Sequence, residues 1–142
     1  QGAFAIPQMK RLPEFIKKRN ENYDFMVNGL RDLEDSFVLP EATPGSEVAW
    51  FAVPLTIKSS APFKRNELVG AMEQQNIETR PFFASNLRKQ PAYKDIDLKL
   101  VGEDTNTELV KNNSFFIGCY PGLTQEMMQF IIDTMKKFVE NH

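Results

Sequence analysis

Histidine and cysteine each occur once in this sequence, and their scarcity excludes several classes of chemistry. A single cysteine, Cys119, cannot form an intrachain disulfide framework and suits a reducing cytosol. The only histidine is the last residue, His142. A His/Cys metal site, a Ser/His/Asp set and a histidine-activated thiol therefore lack their raw material. Cys119 lies in an apolar run, the setting of a buried structural thiol and not of a nucleophile.

An excess of one charge is missing too. The 17 basic and 19 acidic side chains are interspersed and leave a net charge of −2, so no basic footprint for nucleic acid or an anionic membrane exists. Four of the five residues Lys10, Arg11, Lys17, Lys18 and Arg19 read as a solvated helix face. The acid pairs Glu34/Asp35 and Glu103/Asp104 fall in expected loops, where solvation is the ordinary state. No apolar run approaches the roughly 18 residues that cross a bilayer. Glycine-rich phosphate loops, zinc spacings and nucleophile elbows are likewise not found.

What the sequence does have is core material: 12 phenylalanines and 42% hydrophobic residues in 142. That is enough for one domain that hides about two-thirds of its unfolded surface. Pro7 and Pro13 each suit the first turn of a helix. A long helix is expected from Pro13 to near Leu33, with Leu12, Ile16, Tyr23, Met26, Leu30 and Leu33 on one stripe that also carries Arg19. After a loop over 39–46, "EVAWFAVPLTI" reads as a strand that Pro54 confines to an edge or a bulge.

"KRNELVGAMEQQN" is a short helix with Leu68, Val69 and Met72 inward and Asn76 as its left-handed cap. "IETRPFF" is the next strand, followed by the polar turn "ASNLRKQPAYKDI". "TNTE" at 105–108 matches a capping box and should open a helix ending near Asn112. "SFFIGCY" is a strand stopped by Pro121-Gly122, and Thr124 caps a last helix whose buried stripe is Met128, Ile131, Ile132, Met135, Phe138 and Val139. The fold class is α+β: a small antiparallel or mixed sheet with helices packed on one side. The chain opens apolar and without an initiator methionine, and is expected to be a piece of a longer protein.

One segment has the composition of a binding site. "TRPFFASNLRKQP" (79–91) offers a guanidinium for phosphate or carboxylate in Arg80, ring faces in Phe82 and Phe83, and amides in Asn86 and Gln90. A strand end with a capped turn would have the same composition. "NSFFIGCYPGLT" (113–124) is either a core strand with a turn or a wall of that site.

Together, "NIETRPFFASNLRKQPAY" and "VGEDTNTELVKNNSFFIGCYPGLTQEMMQFI" closely resemble the C-terminal region of the pyridoxal-phosphate sugar aminotransferase-like family, nearest to its nucleotide-sugar 3-dehydratases, which act on 4-keto-6-deoxyhexoses. A looser family match is R-x-x-N on the early helix, here within "KRNENY". The resemblance implies the C-terminal small domain of a fold-type I enzyme, spanning 1–142 and not catalytic alone. An upstream large domain would hold pyridoxal or pyridoxamine phosphate, with none expected on this chain by itself. In dehydratases a histidine replaces the cofactor-binding lysine as the base; lysine there would make the parent a nucleotide-sugar aminotransferase.

The resemblance also implies a nucleotide-sugar substrate, a homodimer, a reductase partner, and a cytoplasmic role in deoxysugar and surface-polysaccharide synthesis. It points to Arg80, Phe82, Phe83, Ser85, Asn86 and Tyr120 as substrate contacts, with the strand before Tyr120 as a buttress. Phe116, where relatives often have Trp, and the two aromatics of "RPFF" depart from the branch pattern and leave the sugar and nucleotide open. A stand-alone binding module is the reading from another class; the apolar opening argues against it. Apolar surface is expected to be exposed around Phe4, Ile6 and "RPFF".

Overall fold

The computed structural model describes residues 2–83 and 86–142. Within them, α1 (Gly2–Gly29), α2 (Arg65–Gln74), α3 (Thr105–Asn113) and α4 (Gln125–Glu140) accompany the strands β1 (Phe37–Val38), β2 (Ala52–Ile57), β3 (Thr79–Pro81) and β4 (Ser114–Gly118). The strands form one antiparallel sheet in the order β1-β2-β4-β3, the α+β arrangement expected.

The sheet is built around the β2–β4 ladder, whose register runs unbroken from Ala52↔Gly118 to Thr56↔Ser114. Alternation along both strands sends Val53, Leu55, Ile57, Phe115, Ile117 and Cys119 to one face, where all are buried. Against that face lie Met128, Ile131, Ile132 and Met135 of α4, Tyr23, Met26 and Val27 of α1, and Leu68 and Met72 of α2. Pro54 sits mid-strand without a bulge. β1 pairs only as far as Thr56 and Ile57, so Pro54 has no ladder bond to donate on that flank.

The caps follow local chemistry. Thr124 Oγ1 accepts the Met127 N–H at 3.2 Å. Asn76 takes φ +59°, and the N–H groups of Asn76 and Ile77 donate to the carbonyls of Glu73 and Met72, each at 3.0 Å. This Schellman end turns the chain directly from α2 toward β3.

Three expectations need correction. The prolines do not divide the first segment: α1 runs continuously through Pro7 and Pro13. Residues 2–14 of α1 are solvent-exposed, so the carbonyls that lose their partners to these prolines face water. Helix α1 then stops at Gly29, before a 3₁₀ turn at Arg31–Leu33. "TNTE" is not a capping box, because Asp104 precedes the helix and the Thr105 hydroxyl bonds Glu103 at 3.3 Å. The two-residue strand β1 has no counterpart in the sequence pattern.

Gly29 shows how tightly α1 meets α4. A Cβ there would stand 2.4 Å from Ile132 Cδ1, inside the core. Gly29→Ala should destabilise by about 1–3 kcal/mol despite alanine's better helix propensity. Ile132→Val removes the clashing methyl and should recover part of that loss in the double variant, as read from urea midpoints. Phe4 (83% exposed), Ile6, Met9 and Leu12 leave the outer half of α1 apolar and unpartnered. Sedimentation should therefore show concentration-dependent self-association; a strict monomer at high concentration would contradict this.

Candidate functional site

Direct cross-strand partners share a face of the sheet, so the pairings Arg80↔Phe116 and Pro54↔Phe116 put Arg80, Phe116 and Pro54 in one row on the face away from the helices. Phe116 is the centre of an aromatic shelf there. Its ring lies edge-on to Phe51 at 5.6 Å and within 6.1 Å and 6.3 Å of Phe82 and Phe83. Phe83 is 74% exposed with φ +46°, a left-handed conformation that is strained for an aromatic residue. An exposed ring in a strained backbone is a feature of ligand-facing turns.

Beside the shelf lies a groove of about 470 Å³, bounded by Arg80, Phe116, Tyr120, Leu123, Met127 and Phe130 among others. The Arg80 guanidinium is solvent-exposed and paired with Glu78. An ion pair at such a site is weak, so the guanidinium can exchange that carboxylate for an anionic ligand. Tyr120 is 50% exposed. The Cys119 thiol faces the core, donates to the Trp50 carbonyl at 3.4 Å, and is pushed up to about 11 by burial. It is a structural thiol, as its apolar setting implied.

The structure thus brings Arg80, Tyr120, Phe82 and Phe83 to one face, the first two lining the groove and the others reaching it through Phe116. Asn86 does not line it. It is 6% exposed, and its Nδ2 donates to Asp104 Oδ2 at 3.0 Å and Glu108 Oε1 at 2.7 Å. An amide read as a hydroxyl-binding group is here an anchor for its own turn. Ser85 lies outside the described residues. Met127 and Phe130, which the sequence reading passed over, are apolar residues of α4 off its buried stripe. Apolar groups in that position signal a second surface on the helix.

The Asn86 anchor is part of an ionic knot. Arg88 pairs with Asp104, Lys89 with Glu108 at 2.8 Å, and Lys111 with Glu108 at 3.7 Å. The bonds from Arg88 and Asn86 hold the Asp104 carboxyl below its ordinary value, and those from Lys89 and Asn86 do the same for Glu108. A lowered folded pKa gives stabilisation that is complete above the ordinary carboxylate values and is lost as pH falls through the lowered ones. Between pH 6 and pH about 3, the Lys89 and Gln90 amides should lose hydrogen-exchange protection before Val53 does. Equal loss at all three would show that the knot does not tether this turn separately.

Residues 1–136 match the DegT/DnrJ/EryC1/StrS aminotransferase family. The lipopolysaccharide biosynthesis protein RfbH of Salmonella typhimurium is 37% identical over 138 residues, 97% of this chain and 32% of that protein. The dTDP-4-dehydro-2,6-dideoxy-D-glucose 3-dehydratase of Saccharopolyspora spinosa is 33% identical over 139 residues, 98% of this chain and 30% of that enzyme. The structure of E. coli GDP-4-keto-6-deoxy-D-mannose-3-dehydratase with bound hydrated PLP has a TM-score of 0.85 at 25% identity, covering 94% of this chain and 34% of that one. The chain therefore spans about a third of the length of these relatives. With the family matched along almost all of its residues, the chain belongs to the DegT/DnrJ/EryC1/StrS aminotransferase family.

Proposed function

We propose that this chain is the C-terminal domain of a nucleotide-sugar 3-dehydratase dependent on pyridoxal or pyridoxamine phosphate, and that it forms one wall of the substrate cleft. The observation that carries the reading is the pairing of an exchangeable guanidinium, Arg80, with an exposed aromatic shelf on one sheet face. A nucleotide-sugar has the matching parts: an anionic diphosphate for Arg80, a flat base for Phe82 or Phe83, and sugar hydroxyls for Tyr120. Asn86 holds that wall to α3 through Asp104 and Glu108.

The residues present do not fit the cofactor. No lysine among the described residues is buried, and the buried polar side chains are Asn22, Ser36, Thr79, Asn86 and Ser114, all uncharged. A carboxylate for the pyridine nitrogen, and a lysine to bond the aldehyde carbon or a histidine base in that lysine's place, would come from elsewhere in the parent protein. An aminotransferase parent is the second reading, supported by the 24% identity to the dTDP-4-amino-4,6-dideoxy-D-glucose transaminase of Shigella dysenteriae. The two readings part at the residue facing the cofactor's reactive carbon in the parent, histidine for the dehydratase and lysine for the aminotransferase.

Calorimetric titration with GDP tests the wall itself. Saturable binding is expected, weakened about tenfold or more in Arg80→Ala through loss of a charged hydrogen bond. Binding that is insensitive to Arg80, or no binding at millimolar nucleotide, would remove the basis of the proposal.

A further inference from the structure

Two motifs far apart in the sequence meet at the groove. Asn22, on α1, is 1% exposed, and its Nδ2 donates to the Tyr120 carbonyl at 2.8 Å across 98 residues of chain. Its Oδ1 is the only buried side-chain polar atom without a hydrogen-bond partner among the described residues. A buried acceptor left unpaired is unfavourable, and an apolar side chain in its place would avoid it. What this polar residue gains in return is one bond to one carbonyl.

We infer that Asn22 is a positioning residue for Tyr120, holding its backbone from beneath so that the phenol stands in the groove beside Arg80. The same carbonyl accepts the Leu123 N–H at 3.2 Å, which closes the turn through Pro121 and Gly122. Gly122 does not take a left-handed φ. Its lack of a side chain serves the ring: a Cβ there would lie 3.0 Å from Tyr120 Cε2 and 3.3 Å from Cδ2. The ring therefore lies across Gly122 while Asn22 fixes the carbonyl of its own residue.

The segment is held on its other side as well. The Cys119 N–H and thiol bond the carbonyls of Phe51 and Trp50 at 3.5 Å and 3.4 Å. Asn20 holds the same strand approach, donating to Val48 O at 2.8 Å and accepting the Trp50 N–H at 3.2 Å. The importance of Tyr120 to a ligand rests on the reading proposed above. Its placement by Asn22 is a property of the free chain.

The test uses ¹⁹F NMR of the chain labelled with 3-fluorotyrosine. It carries three tyrosines, and Tyr120→Phe assigns the signal of interest. In Asn22→Leu, which keeps the branch at Cγ and loses the donor, the Tyr120 signal should shift toward the free amino acid and broaden. Should that variant not fold, Asn22→Ala is read the same way, with folding followed by near-ultraviolet circular dichroism. Gly122→Ala should move the same signal from the other side of the ring. A Tyr120 signal unchanged in a folded Asn22 variant overturns the inference.

GDP titration separates this from the reading of the groove. Equal weakening by Asn22→Leu and Tyr120→Ala is expected. If Tyr120→Ala leaves GDP affinity unchanged, the groove reading falls and the ¹⁹F result alone decides the role of Asn22.

Discussion

The β2–β4 ladder is the constraint on which the other parts depend. Its unbroken antiparallel register puts Val53, Leu55 and Ile57 beside Ile117, Phe115 and their neighbours on one face, making a single apolar surface broad enough for three helices. Slipping the register by one residue would send that entire set to the other face. The same pleat decides what the outer face presents. Because Phe115 and Ile117 point inward, Phe116 points outward and meets Arg80. The core and the candidate site are therefore two readings of one alternation.

Local signals recovered most of this. The stripe of α4, the caps at Asn76 and Thr124, and the alternation of β4 all depend on near neighbours, and each was legible in the sequence. Two of the three corrections involve forces that a local pattern does not contain. A proline costs a helix one hydrogen bond and crowds the preceding turn; along the exposed outer half of α1 water can solvate the orphaned carbonyls, and the helix continues through both prolines. The Thr-x-x-Glu box lost its cap because Asp104 and Glu108 are engaged by Asn86, Arg88 and Lys89, from a turn 16 to 22 residues earlier in the chain.

The candidate site was legible in composition and less so in arrangement. Arg80 and the paired phenylalanines stand out in the sequence as a cation next to rings, and they do share a face. The sequence did not indicate that Asn86 faces inward, because an amide beside a Ser and a Leu looks the same whether it meets a hydroxyl or a carboxylate. Nor did it show that α4 lends Met127 and Phe130 to the groove. The contact between Asn22 and Tyr120 was visible only as two unrelated matches to the family pattern; three-dimensional proximity gives them a common purpose.

The margins of the sheet have a consequence of their own. One outer strand is two residues long, and the other is three and ends on Pro81. Such stubs offer another chain almost no continuous row of amide donors to extend. Contact between copies is thereby steered to broad faces, which fill once they are covered, and away from open-ended strand addition. The domain can present an aromatic shelf to its surroundings without seeding cross-β fibrils.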